Sequence, residues 1–169
     1  MCGIVGYTGN KNAVDILIDG LRQLEYRGYD SSGIAVKCDK EVKVYKAEGK
    51  LENLCKVLAG HSAEFKNATC GIGHIRWATH GAPTVLNAHP HTCNCGNLAI
   101  VHNGIIENYK ELREKLTAEG CHFRSQTDTE VAAHLVARKY AQTKNLTEAV
   151  RLAAKELEGA YALCVMHND

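Results

Sequence analysis

Apolar residues recur along this chain at two spacings, and the switches between them mark out its elements. From Asn12, the residues Val14, Leu17, Ile18, Leu21 and Leu24 follow at intervals of three and four, one face of an α-helix that ends near "YRGYD". "SGIAVKC" and "VKVYKAEG" are β-branched runs parted by charged residues and predict a hairpin. Leu51, Leu54, Cys55 and Leu58 return to helical spacing, closed by Gly60. The stretch from Cys70 to Gly104 loses that periodicity and holds five of the nine histidines, so it predicts strand and loop rather than helix. Within it "CGIGHIR" and "LAIVH" predict strands that run straight into polar residues, where sites are commonly built. Tyr109, Leu112 and Leu116 then predict a helix stopped by Gly120, and "TDTEVAAHLVARKYA" predicts another, with Thr127 and Glu130 spaced as a capping box. A third helix, "TEAVRLAAKELEG", leads into the apolar strand "AYALCVM". Strands come early in pairs and helices cluster later, without the alternation of a parallel sheet. The expected class is α+β with antiparallel sheets.

Composition narrows the partners. With 169 residues, 45% apolar and 23% charged, the chain suits one packed domain over residues 1–169. A net charge of +1 supplies no broad field for nucleic acid or an anionic membrane. No apolar run approaches the ~20 residues of a membrane helix, and the amino end lacks the order of a signal peptide, so the expected location is the cytoplasm. Eight cysteines without an export signal read as thiols. Cys38, Cys55, Cys70 and Cys164 fall in apolar patterns as small core residues, and His61, His122, His134 and His167 as surface or packing residues.

The opening "MCGIVGYTG" has glycines at every third position, not the spacing of a dinucleotide loop, and no phosphate-loop lysine follows. It predicts an edge strand in which Gly3, Gly6 and Gly9 permit close backbone approach. Cys2 stands apart. Once Met1 is removed, its thiol and a free α-amine share one residue, and that amine, with an ordinary pKa of ~7.7–8, can take and return a proton near neutrality. A thiol so placed can attack a carbonyl; the alternative is a small buried residue in a terminal strand. Acyl transfer also needs donors for a developing oxyanion, which the Asn103 side chain and the Gly104 N–H would supply at a strand end, although Asn-Gly is equally a turn signal. An amino-acid substrate would need Arg76 for its carboxylate and an acid such as Asp128 for its ammonium, the latter also reading as a helix-first-turn acid.

A rival constellation is "HPHTCNC". In an extended segment His89, His91, Cys93 and Cys95 would share one side as a zinc set, although four ligands in seven residues crowd poorly around an ion. A zinc-stabilised binding module and an inactive interaction fragment are the alternatives to an enzyme.

Six stretches, "MCGIVGY", "LEYRGYDSSGIAV", "GIGHIRWATHG", "NAHPH", "VHNGIIENY" and "TDTEV", stand in the order found in class II glutamine amidotransferases, which are N-terminal-nucleophile hydrolases. "EYRGYDSSG" and "HNGIIENY" most resemble the glutaminase domains of the glutamine–fructose-6-phosphate aminotransferases. The resemblance covers essentially the whole chain. It implies an αββα sandwich of two antiparallel sheets, truncated at its C-terminus because the family domain runs on through further strands into sugar-isomerase domains. It implies L-glutamine as substrate, no cofactor and no metal. By the same resemblance Cys2 is the nucleophile, Asn103 and Gly104 the oxyanion donors, and Arg27 a supporting residue. Arg76 and Asp128 would hold the substrate's backbone groups, while Trp77, Thr79, His80 and Gly81 line the pocket.

Overall fold

A computed structural model describes residues 2–28, 30–77 and 82–169. The strands are β1 (Gly3–Thr8), β2 (Ser31–Cys38), β3 (Glu41–Glu48), β4 (Cys70–Arg76), β5 (His91–Thr92), β6 (Leu98–Ile106) and β7 (Gly159–His167). The helices are α1 (Ala13–Leu24), α2 (Leu51–Ala59), α3 (Tyr109–Ala118), α4 (Asp128–Thr143) and α5 (Leu146–Ala154). The apolar spacings located each of these elements except β1, which the glycine pattern predicts, and β5. α1 begins where Asn12 accepts a hydrogen bond from the Val14 N–H at 2.8 Å, and its stripe of Ala13, Val14, Leu17 and Leu21 is buried.

Two antiparallel sheets result, one ordered β1-β4-β2-β3 and the other β5-β6-β7. Three apolar layers hold them. α1 and α2 cover the outer face of the first sheet through Leu17, Leu21, Leu54, Leu58, Ile34 and Ile75. α3, α4 and α5 cover the second through Leu112, Leu116, Val131, Leu135 and Ala149 against Leu98 and Ile100. Between the sheets, Ala35 and Ile72 meet Ala99, Val101 and Met166 and close the interior from both faces. The order helix, sheet, sheet, helix is the expected αββα sandwich. β1 is an edge strand, as the glycine pattern predicts, and a Cβ on Gly3 would lie 2.8 Å from Leu24 Cδ1. Cys38, Cys55, Cys70 and Cys164 are half-buried against these layers.

The capping box is not formed. Thr127 makes no cap bond; its hydroxyl instead meets His91 Nε2 at 3.1 Å and Ser125 Oγ at 2.9 Å. Glu130 turns away from the helix start and accepts from the Arg124 N–H at 2.9 Å, the Ser125 N–H at 2.7 Å and the Ser125 hydroxyl at 2.7 Å. Burial opposes its charge, but His134 and these donors outweigh it and hold the carboxyl at about 2. Among the described residues no helix is long and apolar enough to cross a membrane.

Candidate functional site

Cys2 precedes β1, whose pairing of Gly3 with Ile75 carries it to the end of β4 beside Arg76 and Trp77. The Trp77 N–H donates to Cys2 Sγ at 3.3 Å, and the Trp77 carbonyl lies 3.5 Å from the same sulfur. The Trp77 ring is 55% exposed and rests on Gly28, where φ is +128° and a Cβ would come within 2.0 Å of the ring, so only glycine fits. From the facing sheet the Asn103 amide donates to the Cys2 carbonyl at 3.4 Å, across 101 residues of sequence.

Asn103 and Gly104 lie within β6, not at a strand end or in a turn. The ladder continues past them to Ile106, pairing Asn103 with Ala162 and Gly104 with Tyr161. Gly104 breaks the strand's ordinary conformation with φ at +120°, and a Cβ there would stand 2.2 Å from the Ala160 carbonyl. That conformation suits glycine alone and leaves Gly104 exposed beside half-buried Asn103.

His74 determines which way the Asn103 amide faces. Its Nε2 lies 3.1 Å from the His102 carbonyl and 2.9 Å from Asn103 Oδ1. A main-chain carbonyl can only accept, so Nε2 must carry the proton and Asn103 must present its oxygen to it. The NH2 group is thereby turned to Cys2. His74 is fully buried, and desolvation drives its pKa to about 4 against the opposing pull of its bonds to Asn103 and His102. It is a neutral imidazole at physiological pH. Sequence reasoning did not single it out. Its alternation with Ile72 and Arg76 in β4 places it on the face toward the second sheet, but nothing local names its partner.

His74 opens a buried cluster. Its ring lies 4.2 Å from that of His89, which lies 4.9 Å from that of His91. The Thr129 hydroxyl bridges His89 Nε2 at 2.8 Å and His102 Nδ1 at 2.9 Å. A hydroxyl has one proton, so at least one of these imidazoles donates to it. Burial lowers the pKa of all four histidines. Helix α4 presents Asp128 as its first residue, and Asp128 Oδ2 accepts from the Ile106 N–H at 2.9 Å, three residues beyond Asn103 on β6. Arg76 is buried to 3% exposure; its guanidinium donates to the Ala82 carbonyl at 3.3 Å and lies 3.9 Å from the Asp30 carboxylate. Cys2, Trp77 and Asn103 thus meet directly, with Gly104 and Arg76 adjacent in sequence and Asp128 joined through β6. Thr79, His80 and Gly81 lie outside the described residues, as does the Arg27 side chain.

The zinc reading is corrected. β5 spans only His91 and Thr92, after which Cys93 enters a turn, so the extended alternation it required is broken. His89 and His91 bind Thr129 and Thr127, whereas Cys93 and Cys95 turn to Asn97. Among the described residues no group of three or more His, Cys, Asp or Glu is gathered to hold a metal ion.

Residues 80–169 match a family model described as a glutamine amidotransferase domain. Over 169 residues the chain is 56% identical to glutamine–fructose-6-phosphate aminotransferase [isomerizing] of Thermus thermophilus, covering all of this chain and 27% of that protein. It is 53% identical to the protein of the same name from Streptomyces coelicolor over the same shares. The chain therefore spans about a quarter of the length of these curated relatives. Among solved structures, glutamine phosphoribosylpyrophosphate amidotransferase from B. subtilis, complexed with ADP and GMP, aligns with a TM-score of 0.77 at 29% identity, over 99% of this chain and 35% of that one. A second, described as the allosteric regulatory enzyme of purine biosynthesis, aligns at 0.81 and 28%, over 99% and 36%.

Proposed function

The chain belongs to the glutamine amidotransferase domain family, and from that premise we propose that residues 1–169 hydrolyse the side-chain amide of L-glutamine through a thioester on Cys2. Removal of Met1 frees the Cys2 α-amine, which takes the thiol proton as sulfur attacks the amide carbon. Negative charge on the carbonyl oxygen is met by the Asn103 NH2 and the Gly104 N–H. The amine returns its proton to the departing nitrogen, and ammonia leaves. Water, deprotonated by the same amine, then attacks the thioester and releases glutamate. Arg76 pairs with the substrate α-carboxylate and Asp128 with its α-ammonium, which sets the γ-amide against sulfur. Trp77, beside Cys2, lines the pocket.

In a longer protein of the kind its relatives represent, the ammonia passes to a sugar-isomerase domain that aminates fructose 6-phosphate, and the reaction takes place in the cytoplasm. The observation that carries this reading is the convergence of Cys2, Trp77 and Asn103 from both sheets on one sulfur and its main chain. The test uses protein whose loss of Met1 is verified by mass. Cys2→Ala should abolish ammonia release from glutamine while leaving the melting temperature near that of the parent. Unchanged turnover in that variant refutes the mechanism.

A further inference from the structure

One pair of nucleophilic groups lies apart from the glutamine site. Cys93 and Cys95 flank Asn94 in the turn between β5 and β6, with their sulfurs 2.9 Å apart. A disulfide bond is about 2.05 Å long, so the backbone already holds the two atoms within roughly 0.9 Å of bonding distance. The turn itself is well anchored. Gly96 donates its N–H to the Cys93 carbonyl at 3.0 Å and adopts φ +71°, which glycine accommodates. The Asn94 side chain clasps His122, donating to its carbonyl at 2.8 Å and accepting from its N–H at 3.0 Å. Both thiols also lie within reach of one acceptor, Asn97 Oδ1, at 3.3 Å from Cys93 and 2.7 Å from Cys95. Among the described residues no other two cysteine sulfurs are hydrogen-bonded to each other.

We propose that Cys93 and Cys95 form a redox-active dithiol that low-molecular-weight disulfides oxidise reversibly to an intramolecular disulfide. The two positions divide the work by access. Cys95 is exposed and meets the incoming disulfide, whereas Cys93 is 5% exposed within the core beneath the turn. The Cys95 thiolate attacks one sulfur of the small disulfide, forming a mixed disulfide and expelling one thiolate. That thiolate or solvent takes the Cys93 proton. Cys93 sulfur then attacks Cys95 sulfur and expels the second small thiol. The protein loses two hydrogens and the small disulfide is reduced to two thiols. Burial, and then its bond to Cys95, push the Cys93 thiol pKa up, which suits a thiol that reacts second and only with a neighbour already in place.

The assignment is independent of the glutamine reading, because it is measured by mass rather than turnover. Trypsin should release Trp77–Lys110 as one peptide whose only cysteines are Cys93 and Cys95. After incubation of the whole chain with glutathione disulfide, that peptide should lose the mass of two hydrogens and both of its iodoacetamide-reactive thiols, and dithiothreitol should restore them. Cys93→Ser should instead accumulate a stable glutathione adduct on Cys95, and Cys95→Ser should yield neither adduct nor disulfide in this peptide. A persistent adduct on Cys95 of the parent overturns the proposal. So do oxidation confined to other cysteines, such as Cys70 or Cys164, and two thiols that stay fully alkylatable.

Discussion

Replacing His74 with phenylalanine tests whether one buried imidazole aims the amide that faces Cys2. Phenylalanine keeps a planar ring against His89 but removes the Nε2–H that Asn103 Oδ1 accepts at 2.9 Å. Half-buried Asn103 Oδ1 then lacks its donor, a loss of up to about 1–3 kcal/mol for a buried acceptor, and the amide is no longer held against rotation through half a turn. Rotation would present oxygen where the proposed oxyanion needs NH2. The same 1–3 kcal/mol, read as a population, is about 5- to 150-fold in favour of the present orientation. Complete loss of one oxyanion donor costs about 10²–10³ in kcat, which sets the ceiling.

We expect His74→Phe to lower kcat for ammonia release by about 10- to 100-fold while KM for glutamine stays within about threefold, because Arg76 and Asp128 are untouched. His74→Gln, whose amide NH2 can occupy the place of Nε2, should recover most of the lost rate. The donor survives protonation of the ring, so no ionisation of His74 should appear in the parent's kcat profile above pH 5. Steady-state ammonia release at several glutamine concentrations, with a melting curve for each variant, reads all of these. Parent-like kcat in a folded His74→Phe protein would refute the reasoning, as would equal losses in both variants.

Asp128→Asn should keep the hydrogen bond from the Ile106 N–H, since an amide oxygen can accept it, but should remove the charge assigned to the substrate ammonium. A charge-assisted hydrogen bond of about 1.5–3 kcal/mol predicts a KM for glutamine raised about 10- to 150-fold; an unchanged KM dismisses the assignment. Stability should fall with acid in a window set by the buried histidines. Burial depresses the pKa values of His74, His89, His91 and His102, with that of His74 at about 4, while an unfolded histidine titrates near 6.5. Below pH ~6.5 the unfolded chain therefore binds more protons than the native one, so stability is whole above that pH and declines as pH falls toward 4. Each such group costs up to about 1.4 kcal/mol per pH unit. Glu130, held at about 2, adds its loss only below the ordinary carboxylate range. Urea unfolding midpoints at pH 7.5, 6.5 and 5.5 measure this, and a flat series contradicts it.

Local periodicity alone determined most of the elements. The three-and-four spacing of Val14, Leu17 and Leu21 becomes the buried stripe of α1, and the paired β-branched runs become β2 and β3 in register from Ser31 opposite Glu48 to Cys38 opposite Glu41. The ordered motifs also carried the family assignment, and they named Cys2, Asn103 and Gly104 before any coordinates. Side-chain period decides which face a residue takes, but it says nothing of what lies opposite. Only the packing of one sheet on the other brings Asn103 to Cys2 and sets His74 against Asn103. The same limit explains the readings that failed. Asn103-Gly104 has the chemistry of a turn, yet the ladder with β7 keeps it inside β6. Thr127 and Glu130 have capping-box spacing, yet buried His91 and the Ser125 amide, from outside the helix, offered their side chains stronger partners. Alternating His and Cys suggested one shared ion, but the turn after β5 divides them between the core and Asn97. Local pattern is a property of consecutive residues, whereas each of these outcomes depended on a competing partner from a segment that pattern does not reach.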